Sequence, residues 1–307
     1  MNLSLFIAKR YLVSKKSNNA INIISWISIL AIAITTAALI IILSAMNGLT
    51  AVVQDLYQAM EPELKITALN SKYIKSSDAI INTIKTTSGI KNISYSIEEN
   101  ALIKLEDKQA VITVKGVDEQ FKTLTHFDTL IEEGSYKLKY NDQNFGVFGK
   151  GVVYKLDINI NDFISPISIY APKRGKSESL NQEDAFNKLT INPAGVFSIN
   201  DDFDFKYVLV DLKAAQNLFD CPDEFTTIEL SLVDASQVSE VQEVLQNKLG
   251  NNYSIKTRYQ ANDVLFKTLE TEKLWTLLNV AIININARIK KVHNFSVSSV
   301  LNNTSFA

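Results

Sequence analysis

The sequence predicts an α+β protein, with one N-terminal transmembrane helix followed by a large mixed α/β domain on the far side of the membrane. Three observations carry that prediction. No charged residue lies between Ser17 and Gln54. From about residue 55 to 273, apolar residues recur with periods that switch between 2 and 3.6, the signatures of strands and helices. Charge is nearly balanced, with 31 Lys+Arg against 33 Asp+Glu over 307 residues, so no bulk field points to nucleic acid or another polyanion.

The first element, residues 1–20, is cytoplasmic. Leu3, Leu5, Phe6, Ile7, Tyr11 and Leu12 alternate with cations there, as in a short helix lying at the bilayer interface, although a disordered basic leader has the same composition. Residues 21–48 form the transmembrane helix. Between Ile24 and Met46 there are eleven Ile/Leu, broken only by Ser25, Ser28, Thr35, Thr36 and Ser44. As a helix that stretch is roughly 35 Å long, enough for a hydrocarbon core of about 30 Å. Its Ile and Leu side chains contribute roughly −5 kcal/mol to insertion. A buried helix of a soluble core would show a polar face, and none is present. Lys9, Arg10, Lys15 and Lys16 precede the segment while Asp55, Glu61 and Glu63 follow it, which places the N-terminus in the cytoplasm and the main domain outside. A cleaved signal peptide fits less well, because the apolar run is too long and Ser44-Ala45-Met46-Asn47 is a poor cleavage site.

Residues 49–273 are expected to form the extracytoplasmic domain, with a smaller lobe near 118–190. Strand-like runs are Leu64–Leu69, Ile93–Ile97, Ala101–Leu105, Ala110–Val117, Ile164–Tyr170, Thr190–Ser198, Tyr207–Val210, Thr227–Leu232 and Ser254–Thr257. Helix-like runs are Asp78–Thr86, Lys150–Leu156, Leu212–Phe219, Val238–Leu249 and Asn262–Trp275. Pro172–Lys188 is the longest polar interruption, and strand signals flank it. It reads as an extended loop or hairpin suited to making contacts, or as a plain solvated loop. Leu274–Ala287 is apolar but short and carries three Asn, so it is expected to be an incomplete second transmembrane segment, with 288–307 a divergent tail.

No catalytic, cofactor or metal site emerges. Cys221 is the single cysteine and suits a small core position. His126 and His293 stand in no ligand-spaced motif. Gly175-Lys176-Ser177 mimics the end of a phosphate loop, but Tyr170 occupies the position where that motif needs glycine. Gly149-Lys150-Gly151 fits a turn opening a helix. In Glu98-Glu99, Glu132-Glu133 and Asp201-Asp202 neighbouring side chains diverge, so these pairs suit solvated faces and not a carboxylate dyad.

Several stretches resemble the lipoprotein-releasing ABC permeases of LolC/LolE type, within the broader FtsX/MacB-like permease group. They are Phe6–Leu12, Ile24–Ala33, Ile42–Leu49 (the most specific), Lys115–Asp118, Phe148–Val152, Ala194–Phe197, and Asn262, Leu265-Phe266 and Glu272-Lys273. The resemblance covers about residues 5–275 in order and implies a MacB-like periplasmic core domain in a cell inner membrane protein. It further implies a permease that is not itself an enzyme and binds no cofactor. Its partners would be a cytoplasmic ABC ATPase that binds the ATP, a second permease subunit in a homo- or heterodimer, and a periplasmic carrier receiving the lipoprotein substrates. Pro172–Lys188 falls where one branch of the family has a carrier-contacting hook, which makes Lys173 and Arg174 carrier-contact candidates. Met46 and Leu49 become lipid-cavity candidates near the outer mouth of the first helix. Family members continue into three more transmembrane helices and an ATPase-docking loop, whereas here the likeness stops near Asn279. The expectation is a truncation or frameshift, and a polypeptide that alone does not transport. The competing reading is a stand-alone, membrane-anchored periplasmic binding or scaffold domain.

Overall fold

The computed structural model describes residues 19–58, 61–76, 78–160, 165–174 and 185–304. The expected interfacial helix in 1–16 and the tip of the polar loop, 175–184, lie outside these residues. The chain divides into two compact units, Met1–Val52 with Val264–Ala307, and Val53–Asp263.

The first unit consists of two long helices, α1 (Asn19–Gln58) and a C-terminal helix (Asp263–Thr304). Among the described residues, Ile29–Val53 is the stretch long and apolar enough to cross a membrane, and its window has no buried residue. Ile27, Leu30, Ile34, Ile40 and Ile41 all stand exposed, the state of side chains whose solvent is lipid. Thr35 and Thr36 return their hydroxyls to the carbonyls of Ala31 and Ile32, so these polar interruptions need no outside partner. The apolar segment Leu274–Ala287 lies within one uninterrupted 42-residue helix, Asp263–Thr304. Its three Asn residues cost helix propensity but do not break the backbone ladder.

In the second unit the strands are β1 (Leu64–Ala68), β2 (Ile74–Lys75), β3 (Ile90–Leu105), β4 (Lys108–Val117), β5 (Ile131–Gly134), β6 (Lys139–Tyr140), β7 (Gln143–Gly149), β8 (Ile167–Pro172), β9 (Phe186–Phe197), β10 (Tyr207–Asp211), β11 (Glu224–Phe225), β12 (Thr227–Leu232) and β13 (Tyr253–Thr257). Interleaved with them are α2 (Asp78–Lys85), α3 (Glu119–Thr125), α4 (Lys150–Leu156), α5 (Asp201–Asp204), α6 (Leu212–Leu218), α7 (Val238–Leu249) and α8 (Arg258–Ala261), after which the long C-terminal helix is α9. The main sheet runs β13-β1-β12-β3-β4-β10-β7-β9-β5, with β6 on β7 and β8 bridging β3 and β9. Pairing is antiparallel except for β10 with β4 and β7 with β9. β2 and β11 form a separate two-stranded sheet.

Two expectations change. Ile93–Ile97 and Ala101–Leu105 belong to one 16-residue strand, because Glu98, Glu99 and Asn100 sit in the ladder opposite Lys115, Val114 and Thr113. Residues 118–190 do not form a separate lobe in the pairing, since β7 bonds to β10 and β8 bonds to β3.

One face of the sheet carries the principal apolar core. Leu64, Ile66, Ile97, Val114, Val208, Val210, Ile228 and Leu230 meet Ile80 and Ile84 of α2, Val152 and Leu156 of α4, Ala214, Ala215 and Leu218 of α6, and Val241 and Leu245 of α7. Helix α6 lies so close to β4 that a Cβ on Gly116 would stand 2.2 Å from the Cβ of Ala215. Cys221 is fully buried in this core, and burial pushes its thiol up to about 11.

Candidate functional site

On the other face of the sheet, residues one position away from the core side chains build a network of charge. Lys65 stands opposite Glu229 across β1 and β12, and Glu98 opposite Lys115 across β3 and β4. Lys115 and Glu229 are 2 % and 0 % exposed and meet at 2.9 Å. The Ser96 hydroxyl donates to the same Glu229 oxygen at 2.8 Å. Lys65 approaches Glu98 at 3.7 Å, and Lys115 approaches it at 4.0 Å. The Tyr207 hydroxyl donates to Glu98 at 2.7 Å. Burial opposes charge on both Glu98 and Lys65, but their mutual attraction wins. Lys65 and Lys115 hold the Glu98 carboxyl below its ordinary range, and Glu98, Glu61 and Glu229 hold Lys65 protonated.

Helix α3 closes this face. Asp118 caps it by accepting from the Phe121 N–H, and also accepts from the Ser94 hydroxyl at 2.6 Å and the Tyr95 N–H at 3.0 Å. Phe121 then places its ring 4.9 Å from the Lys115 ammonium, a cation–π contact. Phe127 packs between Phe121, Tyr136 and Phe197. Solvated faces therefore do not account for Glu98-Glu99. Glu98 belongs to this network, and Glu99, on the opposite face, is buried against Lys72 and the Tyr73 hydroxyl. Glu132-Glu133 and Asp201-Asp202 are exposed, with Glu132 bonded to Lys150 and Asp202 to Lys206.

The polar interruption between residues 172 and 188 joins two strands paired antiparallel, with Pro172 opposite Phe186, and the Lys173 N–H extends the ladder to the Ala185 carbonyl at 2.9 Å. It is a hairpin. The two candidate cations at its base differ. No side-chain partner of Lys173 is seen among the described residues, whereas Arg174 is engaged inside the chain. Its guanidinium lies 3.6 Å from the centroid of the Tyr73 ring and bonds to Glu224 at 2.8 Å. A cavity of about 560 Å³ opens beside this pair, lined in part by Lys72, Lys75, Asn70 and Tyr253. In the helical unit, Leu49 is exposed and Met46 half-buried, its carbonyl accepting the Thr50 hydroxyl. On α9 of the same unit, Lys273 donates to the Asn47 side chain at 2.7 Å.

Three of the stretches that resemble permeases, Lys115–Asp118, Phe148–Val152 and Ala194–Phe197, hold glycines at positions of close approach. A Cβ on Gly149, which precedes α4, would meet the Asp204 carbonyl at 2.3 Å, and Gly149 opens that helix as expected. Comparison with known sequences agrees with this geometry, since the sequence profile of the MacB-like periplasmic core domain matches residues 25–248. The chain belongs to the MacB-like periplasmic core domain family. Relatives include the lipoprotein-releasing system transmembrane protein LolE of Haemophilus influenzae, 26 % identical over 302 residues, covering 93 % of this chain and 70 % of that protein. LolC of Buchnera aphidicola is 27 % identical over 226 residues, covering 73 % of this chain and 54 % of that protein. The chain thus spans between about half and 70 % of the length of these relatives. Among solved structures, the periplasmic region of MacB from Actinobacillus actinomycetemcomitans aligns with a TM-score of 0.44 at 16 % identity, covering 67 % of this chain and 92 % of that one. The extracellular domain of the transporter YknZ aligns at 0.42 and 14 %, covering 63 % and 99 %.

Proposed function

We propose that this MacB-like chain is a permease subunit of an ABC transporter that draws lipoproteins out of the inner membrane and passes them to a periplasmic carrier. ATP is bound and hydrolysed by a separate cytoplasmic ATPase, and a second permease subunit completes the complex. The observation that carries the reading is the relationship to LolE across 93 % of the chain, through the membrane helix and the periplasmic domain alike. An apolar helix with no buried residue in its window and a β8–β9 hairpin are the two features such a machine needs, one to face lipid and one to meet a soluble partner. In this reading α1 has its N-terminus in the cytoplasm. Met46 and Leu49 lie at the outer mouth of the lipid-facing cavity, and Lys173 meets the carrier at the hairpin base.

Epitope-tagged chain, purified from membranes of the organism that makes it, is expected to bring down an ABC ATPase and a second permease subunit. A chain that brings down neither, as a self-sufficient anchored scaffold would, overturns the proposal. Orientation has its own test. Lys173→Cys in intact spheroplasts should react with a membrane-impermeant maleimide, with buried Cys221 giving no background. Protection from that reagent until the membrane is opened would reverse the topology.

A further inference from the structure

We infer that Arg174 is a positioning residue, an anchor that fixes the β8–β9 hairpin against the body of the domain, and is not itself a carrier contact. The inference rests on the carrier reading above for its role in handover, and on geometry alone for the anchor.

Four interactions converge at the hairpin base from elements remote in sequence. The guanidinium of Arg174 lies over the Tyr73 ring at 3.6 Å, and its Nη1 donates to Glu224 Oε2 at 2.8 Å. The Arg174 backbone N–H donates to the Asp220 carboxylate at 3.3 Å. On the returning strand, the Asn187 side-chain amide donates to the Leu218 carbonyl at 3.0 Å. Tyr73 and Glu224 are themselves held. Tyr73 leads into β2, Glu224 lies on β11, and these two strands pair Glu224 with Lys75 and Phe225 with Ile74. The Tyr73 hydroxyl donates to the buried Glu99 carboxylate, which also binds Lys72. Asp220 and Asp223 adopt left-handed backbone angles of 51° and 58°, which turn the loop so that Asp220 reaches the hairpin while Glu224 enters β11.

The small sheet is therefore a grip. One side chain offers an aromatic face, the other a carboxylate, and a planar guanidinium fits both at once, which an ammonium does not. A hairpin joined to the sheet only by its own ladder would fray at the tip-proximal end. The grip supplies side-chain contacts beside the last backbone pair among the described residues of the hairpin, Lys173 with Ala185. Lys173, beside it, is half-buried, and no side-chain partner of it is seen among the described residues.

The test uses the full chain in nanodiscs and reads two quantities, amide exchange at the hairpin base and capture of the purified periplasmic lipoprotein carrier of the same organism. Arg174→Ala and Glu224→Gln should each speed exchange of the Lys173 amide by roughly three- to tenfold. The double variant should be no faster than either single change, the signature of one shared interaction. Arg174→Lys should resemble Arg174→Ala. Both single variants should weaken carrier capture, whereas Lys173→Ala should weaken capture with exchange unchanged. If Arg174 touched the carrier directly, Arg174→Ala would weaken capture while Glu224→Gln would not, and that result overturns the inference. Unchanged exchange in Arg174→Ala or Glu224→Gln also overturns it. A wild-type chain that captures no carrier, with the exchange pattern intact, overturns the transport reading and the anchor's role in handover while leaving the grip in place.

Discussion

On the apolar face of the central sheet, Leu64, Ile66, Val114, Ile228 and Leu230 meet the helices α2, α4, α6 and α7. One position along on those same strands, Lys65, Lys115 and Glu229 point to the opposite face, where they meet each other, Glu98, and the rings above α3. Both faces are removed from water by different means. The first loses little when its side chains leave solvent, since burying apolar surface is itself favourable by about 25 cal/mol per Å². The second gives up the hydration of several ionised groups, and recovers it only if every charge keeps its partner. Apolar packing of this kind degrades step by step, whereas the charged face is all or nothing.

The largest expected effect breaks that contrast or establishes it. Lys115→Met strands Glu229, already fully buried and with one oxygen lacking a partner among the described residues, and should cost about 3–5 kcal/mol. Glu229→Leu should also destabilise, but by less, because Lys115 keeps Glu98 at 4.0 Å and the Phe121 ring. Together they remove both charges, so the double variant should recover most of the loss. Leu230→Ala with Ile66→Ala on the apolar face should show no such recovery. Cys221 supplies the readout, because it is the sole thiol, is buried in the folded domain, and becomes reactive when urea unfolds it. A double variant at Lys115 and Glu229 as unstable as the sum of its singles would place the network's value in attraction and not in the cost of isolated charge.

A smaller effect separates the faces by shape. Gly116→Ala drives a methyl into Ala215 on the apolar side and should cost about 1–3 kcal/mol. Ala215→Gly makes room for that methyl at a helix-propensity cost of about 1 kcal/mol, so the pair should be more stable than the sum of the two changes. The same urea titration measures it. Additive losses would mean that α6 shifts to accept the methyl and that contact at Gly116 is not tight.

These faces explain what was legible in the sequence. Thr227–Leu232, Lys150–Leu156 and Val238–Leu249 were readable to the residue, because period and flanking turn residues agree there. Alternation such as Leu64-Lys65-Ile66 also announced strands, but it implied that the polar side faces water. Nothing in a lone sequence tells that Phe121, Phe127 and Phe197, scattered over 77 positions, assemble above Lys115. That cover hides Glu98, while Lys72 and Tyr73 hide Glu99 on the opposite face, and with neither visible in the sequence β3 divides into two runs. The β6–β7 hairpin did leave a signal, Asn141-Asp142, whose backbone angles of 44° and 62° suit the tight turn those residues favour. At the hairpin candidates, residue type marked both Lys173 and Arg174. Only the placement of Tyr73 and Glu224, about 100 residues before and 50 after, separates their roles.

The smallest effect sharpens the contrast through pH. Glu61 stands beside Lys65, Lys115, Glu229 and Glu98, and adds a third carboxyl to a group with two ammoniums. Burial disfavours its charged form more than Lys65 and Lys115 favour it, so its pKa is raised above the ordinary 4.5. The folded domain therefore keeps a proton that the unfolded chain releases, and this contribution to stability is lost as pH rises through the folded pKa. Glu98 has the opposite sign. Its pKa is lowered, so its contribution is present above 4.5 and is lost on acidification through the folded value. Glu61→Gln carries no charge at any pH and should flatten the decline above pH 4.5 while leaving the acid limb, to which Glu98 contributes, in place. Thermal unfolding followed by far-UV circular dichroism across that range decides it. A variant whose melting temperature falls with rising pH as steeply as wild type would show that the excess proton of the charged face resides elsewhere.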